Sequence, residues 1–187
     1  MLPLFLGSLG IIQLCSAIAV PFIAKLLDKR HMYTIGISAI VVFQLAAWAF
    51  AKDAMTFAVM IGISYIGVAF CTSSSPAMYA DASDYGEWKT GKSARGFIMG
   101  MANMPPKLGL ITTGTFTGFA LSAIGYVAGA PSTPELVSGL RNIIHMLPAI
   151  AAIIGLIVMT LFNKLTVPEV IKIQQEISAR NEAAATK

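Results

Sequence analysis

The sequence predicts an all-α membrane protein of about five transmembrane helices, closed by an amphipathic C-terminal helix. Three observations carry that expectation. Of 187 residues, 56% are apolar and only 12% charged, whereas a soluble domain needs roughly a quarter of its residues charged to cover its surface. Mean hydropathy is strongly positive, at +0.74. The charges also sit in a few short stretches. The apolar runs between them reach about 20 residues, enough to cross a hydrocarbon core of about 30 Å at ~1.5 Å per residue.

The first apolar segment covers about residues 2–27 and meets the cluster Lys25, Asp28, Lys29, Arg30 and His31. The second, about 32–51, stops at Lys52-Asp53. The third, about 54–79, runs into the charged stretch ADASDYGEWKTGKSAR, which reads as a loop. The fourth, about 96–127, is longer than a bilayer needs and is interrupted by Pro105-Pro106. After the Gly/Pro/Ser-rich AGAPSTPELVSG comes the fifth, about 140–162. These spans form a bundle over 1–163, and 164–187 form a cytoplasmic tail. There Thr166, Pro168 and Glu169 have the spacing of a capping box with proline in the first turn. Val170, Ile171, Ile173 and Ile177 then make an apolar stripe opposite Lys172, Gln175, Glu176 and Arg180.

Basic residues set the orientation. One membrane face receives Lys25, Lys29, Arg30, Lys89, Lys92, Arg95, Lys164, Lys172, Arg180 and Lys187, and the other only Lys52 and Arg141. That bias places the C-terminus in the cytoplasm, and an odd number of spans then places the N-terminus outside. A Met directly before a span, with no loop ahead of it, hints at a piece of something longer.

The residue inventory argues against an enzyme. There is no Cys/His cluster at metal spacing, no phosphate-cradling glycine loop and no nucleophile elbow, so neither a cofactor nor a metal is expected. The net charge of +4 comes without a basic stripe, which excludes a nucleic-acid footprint. Cys15 and Cys71 fall inside apolar runs and read as small hydrophobes. His31 reads as a surface residue, and His145 as an interfacial or interhelical hydrogen-bonding group or, alternatively, as part of a polar lining.

Lys107 is the exception. It lies about a dozen residues past Arg95, hence roughly 18 Å into the membrane along a helical path. A charge near the bilayer centre costs at least ~2.5–3.5 kcal/mol, and a lysine stem of about 6 Å does not reach the interface from there. A water-filled cavity with a carboxylate partner resolves the cost, and no acid of this chain lies at comparable depth. The partner is expected from another chain or segment. The alternative is a structural lysine neutralised by desolvation. Pro105-Pro106, Thr112, Thr113, Thr115 and Thr117, and the pairs Gly96/Gly100 and Gly114/Gly118 suit a polar cavity or close helix packing. The polar run from Cys71 to Pro76 is compatible with lining a polar path.

The stretch YADASDYGEWKTGKSARG resembles the signature between helices ten and eleven of the glycoside–pentoside–hexuronide:cation symporters, the melibiose permease-like group of the major facilitator superfamily. Its elements stand here as Asp81, Asp84-Tyr85-Gly86-Glu87, Trp88, Lys89-Thr90-Gly91 and Arg95. Lys107 falls where that family carries an intramembrane lysine coupling cation and sugar sites. The first span resembles helix eight, so the likeness runs from helix eight to the tail. Ala102-Asn103 stands where a Gln-Thr pair precedes that lysine, and Thr72 near a tryptophan of the sugar cavity; these departures favour a pentoside or another glycoside over a galactoside.

The resemblance implies the C-terminal part of a bacterial inner-membrane symporter taking up such a sugar with Na+ or H+. In it Lys107 couples cation and substrate, with Asn103 and Thr72 nearby, across a cavity whose carboxylates belong to an N-terminal half supplied in cis or trans. Asp81, Asp84 and Glu87 against Lys89, Lys92 and Arg95, with Tyr85 and Gly86 between them, form an expected cytoplasmic gate of exchanging ion pairs. The other reading of that stretch is a solvated topogenic loop. The other reading of the chain is a non-transporting remnant or a small membrane interaction protein.

Overall fold

The computed structural model describes residues 2–23, 27–129, 131 and 133–185, and these contain helices and no strand. Lys25 and Lys187, both counted in the charge asymmetry, lie outside the described residues. The helices are α1 (Leu2–Ile23), α2 (Lys29–Phe50), α3 (Ala54–Thr90), α4 (Arg95–Met101), α5 (Met104–Ala123), α6 (Pro134–Phe162) and α7 (Val167–Ala185). Three of them, over Lys29–Phe50, Met55–Thr90 and Pro134–Phe162, are long and apolar enough to cross a membrane.

Local chemistry marks where helices start and stop. Asp28 caps α2, its Oδ1 accepting the Arg30 N–H at 3.2 Å. Asp53 caps α3 by accepting the N–H groups of Met55 and Thr56 at 3.0 and 2.8 Å and the Thr56 hydroxyl. Those bonds to Thr56 hold its carboxyl below the ordinary carboxylate range. Thr133 caps α6 through the Leu136 N–H. Before α7, Glu169 reaches back to the N–H and hydroxyl of Thr166 at 2.8 and 2.9 Å, which lowers its pKa as well. At the far end of α3, Gly91 takes φ +74° and returns its N–H to Glu87 O at 2.8 Å, a left-handed stop that glycine enters without steric cost.

Two elements differ from the sequence expectation. The stretch read as a charged loop is helical through Thr90, leaving only residues 91–94 between α3 and α4. At 37 residues, α3 is about 55 Å long, against ~40–45 Å for a bilayer with its headgroups. The charged turns are therefore the part of a membrane helix that projects past the lipid. The segment expected at about 96–127 is two helices, broken at Ala102-Asn103 and ending at Ala123. The prolines explain the place of the break: neither can donate to a preceding turn, and Pro105 occupies the first turn of α5, where no donor is needed. Pro76 and Pro148 lie inside α3 and α6 without stopping them.

Helix α2 is the centre of the packing, with α3 on one side and α6 on another; α1 lies along α3, and α7 folds onto the C-terminal end of α3. The closest approach is glycine against glycine. A Cβ on Gly36 would sit 2.7 Å from Gly67 O, and one on Gly67 would sit 2.5 Å from Gly36 O. Small buried clusters flank this crossing: Val20, Met32 and Ala69 with Ile23 and Phe70, and Ala47 and Ile61 with Phe57, Met60 and Tyr65. Outward faces are apolar, including Val42, Val59, Ile154 and Leu161, as a lipid-facing surface requires. Among the described residues, helix α5 buries none of its own, touches α4 and α6, and does not pack against α3.

Candidate functional site

The projecting end of α3 is the most connected polar region. Asp81, Asp84 and Glu87 are spaced three apart and so share one face of the helix. Each holds a different element. Lys29 Nζ, at the start of α2, lies 2.6 Å from both Asp81 oxygens, and Asp81 is nearly buried. Asp84 is buried and accepts the Gln174 side-chain N–H at 2.8 Å from α7, with Arg95 of α4 at 3.8 Å. Glu87 faces Arg180 at 3.8 Å, and Arg180 also donates to the Glu87 backbone carbonyl. Trp88 adds an indole N–H to Glu176 of α7, and Tyr85 lies 5.9 Å from the Trp88 ring.

This arrangement alters the expected gate. Of the cations proposed from the local sequence, Arg95 pairs with the acids, whereas Lys89 and Lys92 are exposed and no ion pair joins them to the acids among the described residues. The physical reason is helical phase: Lys89 falls on the side of α3 away from Asp84 and Glu87. Lys29, Gln174 and Arg180 take those places. Gly86, inside the helix, has nothing within 4 Å of an added Cβ. Ser83 is fully buried beside the acids, and its hydroxyl has no hydrogen-bond partner among the described residues.

A second polar cluster joins the opposite ends of α2 and α6. Arg141 donates to the carbonyls of Ala47 and Ala51 at 3.4 and 2.9 Å, satisfying the open C-terminus of α2. Trp48 donates to Asn142 at 2.8 Å. Buried His145 hydrogen-bonds Gln44 at 2.9 Å and meets the Phe57 ring edge-on. His145 is thus an interhelical hydrogen-bonding group, one of the roles expected of it.

The residues expected at a substrate or coupling site are not brought together within this chain. Asn103 is the N-cap residue just before α5 and Lys107 lies in its first turn, both exposed, with no ion pair to Lys107 among the described residues. Thr72 is on α3, and its hydroxyl bonds back to Val68 O and Ala69 O at 3.0 and 3.1 Å. Ser74 and Ser75 do the same with Phe70 O and Cys71 O, so the polar run in α3 satisfies itself. The glycines of α5 at 109, 114 and 118 have nothing within 4 Å of an added Cβ.

Sequence reasoning missed Lys29, Gln174 and Arg180 as partners of the α3 acids. The usable signal was positional: Lys29 follows the first apolar segment and Arg180 lies in the tail, both on the membrane face of the charged stretch.

Comparison with known proteins places this architecture. Residues 2–165 match the family described as MFS/sugar transport protein. The chain is 30% identical over 181 residues, 96% of its length and 38% of the relative's, to a candidate sulfoquinovose importer of Escherichia coli (strain K12). It is 30% identical over 139 residues, 73% of its length and 29% of the relative's, to the isoprimeverose transporter of Lactiplantibacillus pentosus. A glucuronide carrier protein homolog of E. coli matches at 28% over 134 residues. The chain thus spans well under half the length of these relatives, which are transporters and not enzymes. With its matched region covering nearly all of the described helices, the chain belongs to the MFS/sugar transport protein family.

Proposed function

We propose that the chain is the C-terminal portion of a secondary active transporter that couples uptake of a glycoside or pentoside to Na+ or H+. It sits in the bacterial inner membrane as five spans, α4 and α5 together forming one of them, with the tail at 164–187 in the cytoplasm. One observation carries this reading beyond family membership: Lys107 on α5, with Asn103 at its N-cap, stands on a helix none of whose residues is buried. A lysine at that depth needs a carboxylate or water, and helices complementary to α5 would supply both. Lys107 then links cation and sugar sites across the cavity, Asn103 offers hydrogen bonds to sugar hydroxyls, and Thr72 stands farther off. The cargoes named for the sulfoquinovose, isoprimeverose and glucuronide relatives support a sugar as substrate.

The α3 acids act as the cytoplasmic gate. Asp81, Asp84 and Glu87 tie α2, α4 and α7 to one helix end, so movement of α3 during alternating access must exchange or break those pairs. The test is uptake by the full-length protein. Cation-stimulated sugar accumulation is expected, and Lys107→Ala is expected to abolish the coupling while membrane insertion persists. Cation dependence retained in that variant would sink the lysine assignment. Reconstituted alone, this chain is expected to show no saturable flux.

A further inference from the structure

A cavity of about 640 Å³ lies where α3, α6 and α7 meet, within the ~300–1,000 Å³ range of small-ligand pockets. Its polar lining carries both signs: Lys164 and Lys172 against Glu169 and Glu176, with the Tyr85 and Trp88 rings beside them. Its apolar side is Phe162, Leu165 and buried Ile173. Its Tyr85, Trp88 and Glu176 border the acids at the end of α3, but the ion pairs of those acids do not fill this space.

Its level in the bundle is set by α6, which ends at Phe162, two residues before Lys164. Phe162 and Leu161 are among the most exposed apolar residues, at 78% and 61%. An apolar track along α6 thus leads directly to a charged pocket at the helix end, the profile of a lipid tail joined to its headgroup. The charge balance identifies the headgroup class. Two lysines and two carboxylates sum to zero, which suits a zwitterion better than an anionic lipid; an anionic site would be basic throughout.

The carboxylates also have capacity left. Glu169 spends one oxygen on Thr166. Glu176 spends one on Trp88, with Lys172 at 3.9 Å from the other. Among the described residues, no carboxylate forms an ion pair with Lys164. A phosphate therefore has Lys164 and Lys172 as donors, and a primary ammonium has the remaining carboxylate lone pairs and the aromatic faces.

We propose that this junction binds the headgroup of an aminophospholipid of the phosphatidylethanolamine class, with the acyl chains along Phe162 and Leu161. The site steadies α7 against α3, next to the ion pairs of Asp84 and Glu87.

The test uses the whole chain in lipid nanodiscs. Its two tryptophans reduce to one reporter with Trp48→Phe, leaving Trp88 in the pocket. In discs of phosphatidylcholine doped with rising phosphatidylethanolamine, Trp88 emission is expected to shift saturably. Lys164→Gln combined with Lys172→Gln alters only exposed side chains and is expected to weaken half-saturation about tenfold or more, since charge-assisted bonds are lost; circular dichroism checks that α7 remains. An equal shift with phosphatidylglycerol would overturn the zwitterion assignment, and no difference between phosphatidylethanolamine and pure phosphatidylcholine would overturn the choice of a primary ammonium. Saturation by soluble phosphoethanolamine at the same midpoint would overturn the lipid source. An unchanged midpoint in the lysine variant would overturn the site.

Discussion

The α2–α3 crossing gives the sharpest test of how this bundle is held. In Gly36→Ala the new methyl would lie 2.7 Å from Gly67 O, 2.9 Å from Phe70 Cβ and 3.1 Å from Cys71 Sγ. Favourable carbon contacts begin at about 3.5 Å, so the helices must part by several tenths of an ångström. The nearest neighbour is backbone and cannot rotate away. Overpacking of this kind costs about 1–3 kcal/mol, partly offset by the ~0.5–1 kcal/mol that alanine gains over glycine inside a helix. Gly109→Ala isolates that offset, because nothing lies within 4 Å of an added methyl there. Equilibrium unfolding of both variants in the same detergent separates packing from propensity. Gly36→Ala is expected to lose stability by a net ~1–2 kcal/mol and to expose Cys71 to maleimide faster, while Gly109→Ala is unchanged or slightly more stable. If the two alanines behave alike, backbone propensity governs both sites and the close crossing carries no weight.

Lys29→Gln is expected to destabilise by about 1–3 kcal/mol by leaving Asp81 nearly buried without its cation. A double-mutant cycle with Asp81→Asn should recover part of that loss, and strict additivity would refute the pairing. The Asp53 and Glu169 carboxyls both have depressed pKa values in the folded chain. Their capping contribution is therefore complete above the ordinary values of 3.8 and 4.5 and is lost as pH falls through the lowered ones. Amide exchange in the first turns of α3 and α7 should accelerate in that acid window, and Glu169→Ala should erase the effect in α7 alone. Ser83→Ala removes a buried hydroxyl without a partner and should be neutral or stabilising by up to ~1 kcal/mol in thermal unfolding; a clear loss would mean that its oxygen is bonded. Arg141→Met should fray the C-terminal turn of α2, read as faster exchange at residues 47–51, at a cost of about 1 kcal/mol.

What was legible in the sequence follows from the range of the physics involved. Apolar runs over about 20 residues and the capping-box spacing of Thr166 and Glu169 are local, and α7 starts where that box stands. The end of α3 is not local. Asp81, Ser83, Asp84 and Gly86 are weak helix formers, and a charged stretch at a membrane surface looks the same in composition whether looped or helical. Its helix is held by partners 52, 90 and 93 positions away in Lys29, Gln174 and Arg180, a distance no window of residues encodes. Choosing Lys89 and Lys92 as partners by nearness failed for the same reason: helical phase, not separation, decides which side chains meet.

Lys107 was approached differently, by searching the whole sequence for an opposite charge at its depth and finding none. That argument takes its depth from a helical path past Arg95, which the break at Ala102-Asn103 interrupts and the apolar pattern did not place. Its consequence is a division of labour along the chain. Charges at the end of α3 have their partners within these 187 residues, so they can be read as gate or brace from this chain alone. Lys107 on α5 has no ion pair among the described residues, and the proposed coupling role assigns its chemistry to helices that would cover α5. Any variant that restores a carboxylate opposite Lys107 within the chain, such as an acidic residue one turn away at Ile111, should stabilise α5 in isolation and damage coupling in the full transporter; the opposite pair of outcomes would show that Lys107 is only structural.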